Sequence, residues 1–97
     1  MKKYIWKIKE TTINEETEQQ IDFTHTVRLS CSYLTGKAII TIDGTEFNIG
    51  TRPLGLRGSN QVFRLGEMAA IIDFPKKGAP TVIIDGTRLA SGETYGA

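Results

Sequence analysis

The chain has 97 residues, with twelve lysines and arginines against eleven aspartates and glutamates and a formal net charge of +1. That length suits a single domain over residues 1–97 with one core and no room for a second. The balanced charge lacks the basic excess of a nucleic-acid binder. No apolar run is long enough to span a bilayer, and the lone cysteine, Cys31, leaves no internal disulfide, so a cytoplasmic location is expected.

The segment MKKYIWKIKE begins with the basic residues of a leader, but Lys7 and Lys9 interrupt the apolar run a leader needs. It alternates instead. Tyr4, Trp6 and Ile8 fall on one face and Lys3, Lys7 and Lys9 on the other, with Ile5 out of pattern, which predicts a strand. NEETEQQ, from Asn14 to Gln20, has no apolar stripe to bury and predicts a solvated hairpin loop. Ile21, Phe23, His25, Val27, Leu29, Cys31 and Tyr33 then hold every second position, with polar residues between them. This predicts a long antiparallel strand, buried on one face, wet on the other, and bent partway.

LTGK reads as a turn, and AIITI and TEFNI flank Asp43-Gly44, a strong hairpin signal because a type I′ turn needs positive φ at both central residues. Asp85-Gly86 stands in the same way between TVII and TRLAS. At an offset of 42 residues, Gly36, Ile42, Asp43, Gly44, Thr45 and Gly50 align with Gly78, Ile84, Asp85, Gly86, Thr87 and Gly92. One hairpin design is therefore used twice, once in each half of the fold. Between the hairpins, GTRPLGLRGSN reads as a loop, QVFRLG and AAIIDF as strands, and PKKGAP as a turn held off regular pairing by Pro75 and Pro80. About eight short strands with no helical periodicity predict an all-β fold, an antiparallel β-sandwich or flattened barrel.

Residues able to carry chemistry are few. His25 is the only histidine, and Cys31 lies six residues on along the same face, roughly 20 Å away at strand rise and too far for a Cys–His pair. One His and one Cys do not make an N/S metal site, so no metal, cofactor or catalytic residue is expected. His25 reads as a sheet-face histidine with a satisfied ring nitrogen, Cys31 as a buried filler and Trp6 as core. Asp43, Gly44, Asp85 and Gly86 are explained as turn residues. The one segment inviting a ligand is the Arg/Gly-rich loop over residues 50–64. Arg52, Arg57 and Arg64 stand there with no acid among them, and the amides of Gly55, Gly58 and Ser59 are placed to form an anion-binding nest.

The order of these segments, a Trp-bearing first strand, an alternating strand, TGKAIITIDGTEF, QVFRLG, AAIIDF and TVIIDGTRL, resembles the N-terminal module of the Fas apoptotic inhibitory molecule family. The matching positions are Thr35, Gly36, Lys37, Asp43, Gly44, Gly66, Ile72, Asp73, Asp85 and Gly86. This chain departs in a longer first hairpin, in Cys31 where the family tends to carry a histidine, and in having one module where the family has two. The resemblance implies an antiparallel sandwich without catalytic machinery and with binding work to do; the family's protective role in animal cells is not carried over.

Three functions follow as expectations. The first is a non-enzymatic interaction module with a protein partner, or self-associating as a homodimer in place of the second module, through an exposed sheet edge. The second is a small-ligand or anion-binding protein using Arg52, Arg57, Gly58, Ser59 and Arg64. An enzyme has least support, and a pocket where His25 meets a carboxylate would reopen that reading. Neither nucleic acid nor membrane is expected as a partner.

Overall fold

The computed structural model describes residues 1–96. The fold is all-β, with nine strands and no helix among the described residues. In the first half, β1 (Lys2–Ile13), β2 (Gln20–Cys31), β3 (Ala38–Ile42) and β4 (Thr45–Asn48) form an antiparallel meander. In the second, β5 (Ser59–Leu65), β6 (Met68–Phe74), β7 (Thr81–Ile84) and β8 (Thr87–Leu89) form another. A ninth strand, β9 (Thr94–Tyr95), returns to the first sheet and runs parallel to β1. The sheet orders are β4-β3-β2-β1-β9 and β5-β6-β7-β8.

Apart from β9, each half of the chain thus builds one layer, and the repeated I-D-G-T corner occupies the β3–β4 turn of one and the β7–β8 turn of the other. Asp43 and Gly44 sit at φ 49 and 88, Asp85 and Gly86 at φ 45 and 75, the positive values a two-residue type I′ hairpin requires. Glycine reaches them freely and aspartate tolerates them. The layers stack in opposite senses. Trp6 of β1 donates its indole N–H to the Leu89 carbonyl of β8 at 3.0 Å, and β4 shares a groove with β5 at the far margin.

Between the layers, strand alternation delivers Trp6, Ile8, Val27, Leu29 and Ile40 from one side and Leu65, Ile72, Phe74, Val82 and Ile84 from the other, all essentially inaccessible to water. Each such side chain contributes about 1.5–3 kcal/mol on leaving water, which fixes which face of every strand points inward. Leu56, in the β4–β5 loop, and Cys31 complete the core. Residues of β9 and the stretch before it close one margin: Gly92 donates to the Ile5 carbonyl at 2.7 Å and Ile5 donates to Ser91 Oγ at 3.0 Å.

The long alternating strand behaves as expected only along its inner half. Val27, Leu29 and Cys31 are buried, but Phe23 is 50% exposed and Ile21 38%. The pairing of β1 with β2 runs without a bulge from Lys2–Cys31 to Ile13–Gln20, so both strands reach about 40 Å at strand rise. The facing strands are at most seven residues long. The outer third of the β1–β2 hairpin therefore overhangs with no layer opposite it, and the molecule measures 51 × 23 × 18 Å. Tyr33 lies past the end of β2, in the turn to β3, rather than in the strand. No helix among the described residues is long and apolar enough to cross a membrane.

Candidate functional site

The two margins of the sandwich differ. Next to β1, the two-residue β9 pairs with Lys7 and Ile8 only, and the three-residue β8 is outermost in the facing sheet. On the other side β4 and β5 are outermost, and nothing among the described residues pairs beyond them. Between them opens a groove of about 450 Å³ lined chiefly by Ile42, Phe47, Ile49, Val62 and Phe63, with Arg64 as its one charged residue. Phe47 is 49% exposed and Val62 61%. Alternation explains both. Phe47 points along the inward face of its strand but sits at the last strand of the layer, while Val62 is on the outer face of β5, beside Ile71 of β6. A long, unbulged edge carrying one charge and no proline is unusual in a chain meant to stand alone.

At one end of the sandwich His25 meets two carboxylates. Its Nδ1 lies 2.6 Å from Asp43 Oδ2 and its Nε2 3.0 Å from Glu10 Oε1. Glu10, only 7% exposed, faces inward on β1, and its second oxygen accepts the Glu67 amide at 3.0 Å. Asp43 also accepts the Thr26 amide at 2.9 Å. The bond to His25, then that from Glu67, holds the Glu10 carboxyl below its usual range. Burial works against charge on Asp43, yet its bonds to His25 and Thr26 still lower its pKa. Burial likewise opposes the charge on His25, and the hydrogen bonds to Asp43 and Glu10 overcome it, leaving the ring's pKa raised. This is the meeting of His25 with a carboxylate that reopens the enzyme reading, although both ring nitrogens are engaged by partners within the chain. The arrangement pins β1, β2, the β3–β4 turn and the β5–β6 turn to one another.

This revises two readings of the sequence. His25 has both ring nitrogens engaged rather than one, and Asp43 does more than satisfy a turn. Glu10 drew no notice because its partners are distant in sequence. The one signal available was its place in the inward register Tyr4, Trp6, Ile8, Glu10, which puts a carboxylate where a core residue belongs.

The Arg/Gly-rich loop turns its donors inward. Gly55 donates to the Arg52 carbonyl at 2.9 Å, Gly58 to Phe74 at 2.6 Å and Ser59 to Leu56 at 3.0 Å. Arg57 stacks 4.0 Å above the Tyr33 ring and donates to the Gly78 carbonyl at 2.6 Å. The amides that could have cradled an anion are spent within the chain. Arg64 lines the β4–β5 groove while Arg57 borders a separate cleft with Tyr33, and Arg52 lines neither. Beneath Arg57, the Tyr33 hydroxyl is buried without a hydrogen-bond partner among the described residues, and burial, first among its causes, pushes its pKa up to about 12. Cys31 is a buried free thiol whose pKa is likewise raised by burial.

No protein-family model matches the chain, and neither a curated protein nor a solved structure matches it.

Proposed function

We propose that this protein is a non-enzymatic interaction module that joins to a second copy of itself through the open margin, β5 of one copy pairing antiparallel with β5 of the other. The observation that carries the reading is the length of the open edge. The outermost strands β4, β8 and β9 are four, three and two residues long, whereas β5 offers seven beside an apolar groove, with no strand along it among the described residues. Edge pairing satisfies the unpaired backbone groups of such a strand and covers apolar side chains at the same time.

A second copy suits this edge. In a two-fold pairing centred on Val62, Val62 meets its own counterpart and Arg64 lies across from Asn60, so no like charges are opposed. The resemblance to the Fas apoptotic inhibitory molecule family points the same way, since a second copy would stand where that family has its second module. The absence of catalysis in this reading rests on His25 with both nitrogens engaged, on Cys31 sealed in the core and on Asp43 and Asp85 held in turns.

Sedimentation velocity across a wide concentration range tests it. The mass doubles with concentration in the parent chain, and Val62→Lys weakens the dimer by at least about a hundredfold, close to 3 kcal/mol, without changing the circular dichroism. A parent chain that stays monomeric throughout, or a Val62→Lys variant that dimerises as well as the parent, defeats the proposal.

A further inference from the structure

The overhanging third of the β1–β2 hairpin leaves a second surface unexplained, and it shares no residue with the β4–β5 groove. Its underside continues the inward face of the sheet beyond the end of the facing layer. Phe23 stands there half exposed, with Met68 of the β5–β6 hairpin part-buried across the gap and Tyr95 at the inner end. The space between is a cleft of about 990 Å³. Next to the cleft, the outer edge of β1 is also free beyond Ile8 among the described residues, because β9 pairs with it only at Lys7 and Ile8.

Acids outnumber bases around this cleft: Glu10, already holding His25, and Glu15, Glu67 and Asp85 line it against one lysine, Lys9. Glu15 and Glu67 border the cleft, and neither forms an ion pair among the described residues. The single base on the rim, Lys9, is paired with Asp22 at 3.4 Å. Ile13, Phe23, Met68 and Tyr95 make the floor half apolar, and with an acidic rim it selects a ligand that is apolar on one side and basic on the other. An open strand edge beside it selects extended backbone.

We propose that the cleft beneath the overhang docks an extended, basic segment of a partner protein, with apolar side chains at alternate positions against Phe23 and Met68 and lysine or arginine reaching Glu15 and Glu67. The two faces of such a strand match the two chemistries, since successive side chains point in opposite directions.

The test titrates the full chain, by heteronuclear NMR at low salt, with three short peptides of equal length: alternating lysine and valine, alternating lysine and serine, and alternating glutamate and valine. The lysine–valine peptide is expected to bind and to perturb amides around Phe23, Glu67 and Met68. Phe23→Ser alone, and Glu15→Lys with Glu67→Lys, are each expected to weaken it by about tenfold or more. Failure of the lysine–valine peptide to bind overturns the proposal. So does equal binding by the lysine–serine peptide, which needs no apolar floor, or by the glutamate–valine peptide, which needs no acidic rim. Perturbations confined to β4 and β5 would also overturn it, assigning the peptide to the other groove.

Discussion

His25 is the residue whose surroundings set the pH response of the whole molecule. Its pKa rises from an unfolded value of 6.5, so the stability it supplies is fully present below that pH and is lost as pH climbs through the raised folded value. Glu10 and Asp43 work in the opposite sense. Their pKa values fall from 4.5 and 3.8, so their contribution is present above those values and is lost as pH drops through the folded ones. Stability should therefore peak between about pH 5 and 6.5 and decline on both sides. Urea unfolding midpoints across that range check it, and His25→Gln should flatten the alkaline limb. A midpoint that keeps rising from pH 6 to 8 in the parent would contradict the cluster. Tyr33 offers a test of different kind. Its ring carries Arg57 on one face and meets Phe74 edge-on at 6.4 Å, but its hydroxyl is buried without a partner among the described residues. Tyr33→Phe keeps the stacking and removes the orphan, so it is expected to stabilise by about 1 kcal/mol, or ~5 °C in melting temperature.

The two Asp-Gly hairpins were written alike in the sequence but are loaded differently in the fold. Asp85 accepts from the Tyr95 hydroxyl at 3.0 Å at an exposed corner, whereas Asp43 holds both the His25 ring and the Thr26 amide. Asp43→Ala should therefore cost about 1–2 kcal/mol more than Asp85→Ala, the difference arising from the lost partners and not from the turn. Asp43→Asn separates the two roles, since asparagine also adopts positive φ. It should leave the hairpin intact while lowering the titration midpoint of His25 followed by NMR. An unchanged midpoint would mean that the carboxylate charge does not reach the ring. This pair shows how far local pattern carries. Turn chemistry and period-two burial are local properties, so Asp43-Gly44, Asp85-Gly86 and nearly every strand were legible in the sequence. The meeting of Glu10, His25, Asp43 and the Glu67 amide joins four distant segments, and nothing local announces it. The two-residue β9 is likewise held by pairing with β1 rather than by any pattern of its own.

At the scale of the molecule, the chain is less compact than its length requires. Its radius of gyration is 14.5 Å, against about 12.5 Å for a typical domain of this size. The excess comes from the overhang, and here the sequence misled for a physical reason. Alternation in Ile21 and Phe23 records which way a side chain points, but not whether a second layer lies opposite to cover it. Burial depends on the length of β5 and β6, which end at Leu65 and begin at Met68, and that length is written elsewhere in the chain. If the outer third of the hairpin contributes no core, removing it should scarcely touch stability. Deleting Thr12 through Ile21 and joining Thr11 to Asp22 by an Asn-Gly turn retains Glu10, His25 and every buried apolar residue. The shortened chain should unfold within about 1 kcal/mol of the parent, sediment as a more compact particle and still dimerise through β5, while losing the lysine–valine peptide. A loss of several kcal/mol would instead place the overhang in the cooperative unit, held by contacts along β1 and β2 that burial alone does not reveal. Amide exchange separates these outcomes in the parent chain as well. An overhang with no facing layer should open locally, its amides near Thr12 and Ile21 exchanging well before those of Trp6 and Val27 in the strands between the layers.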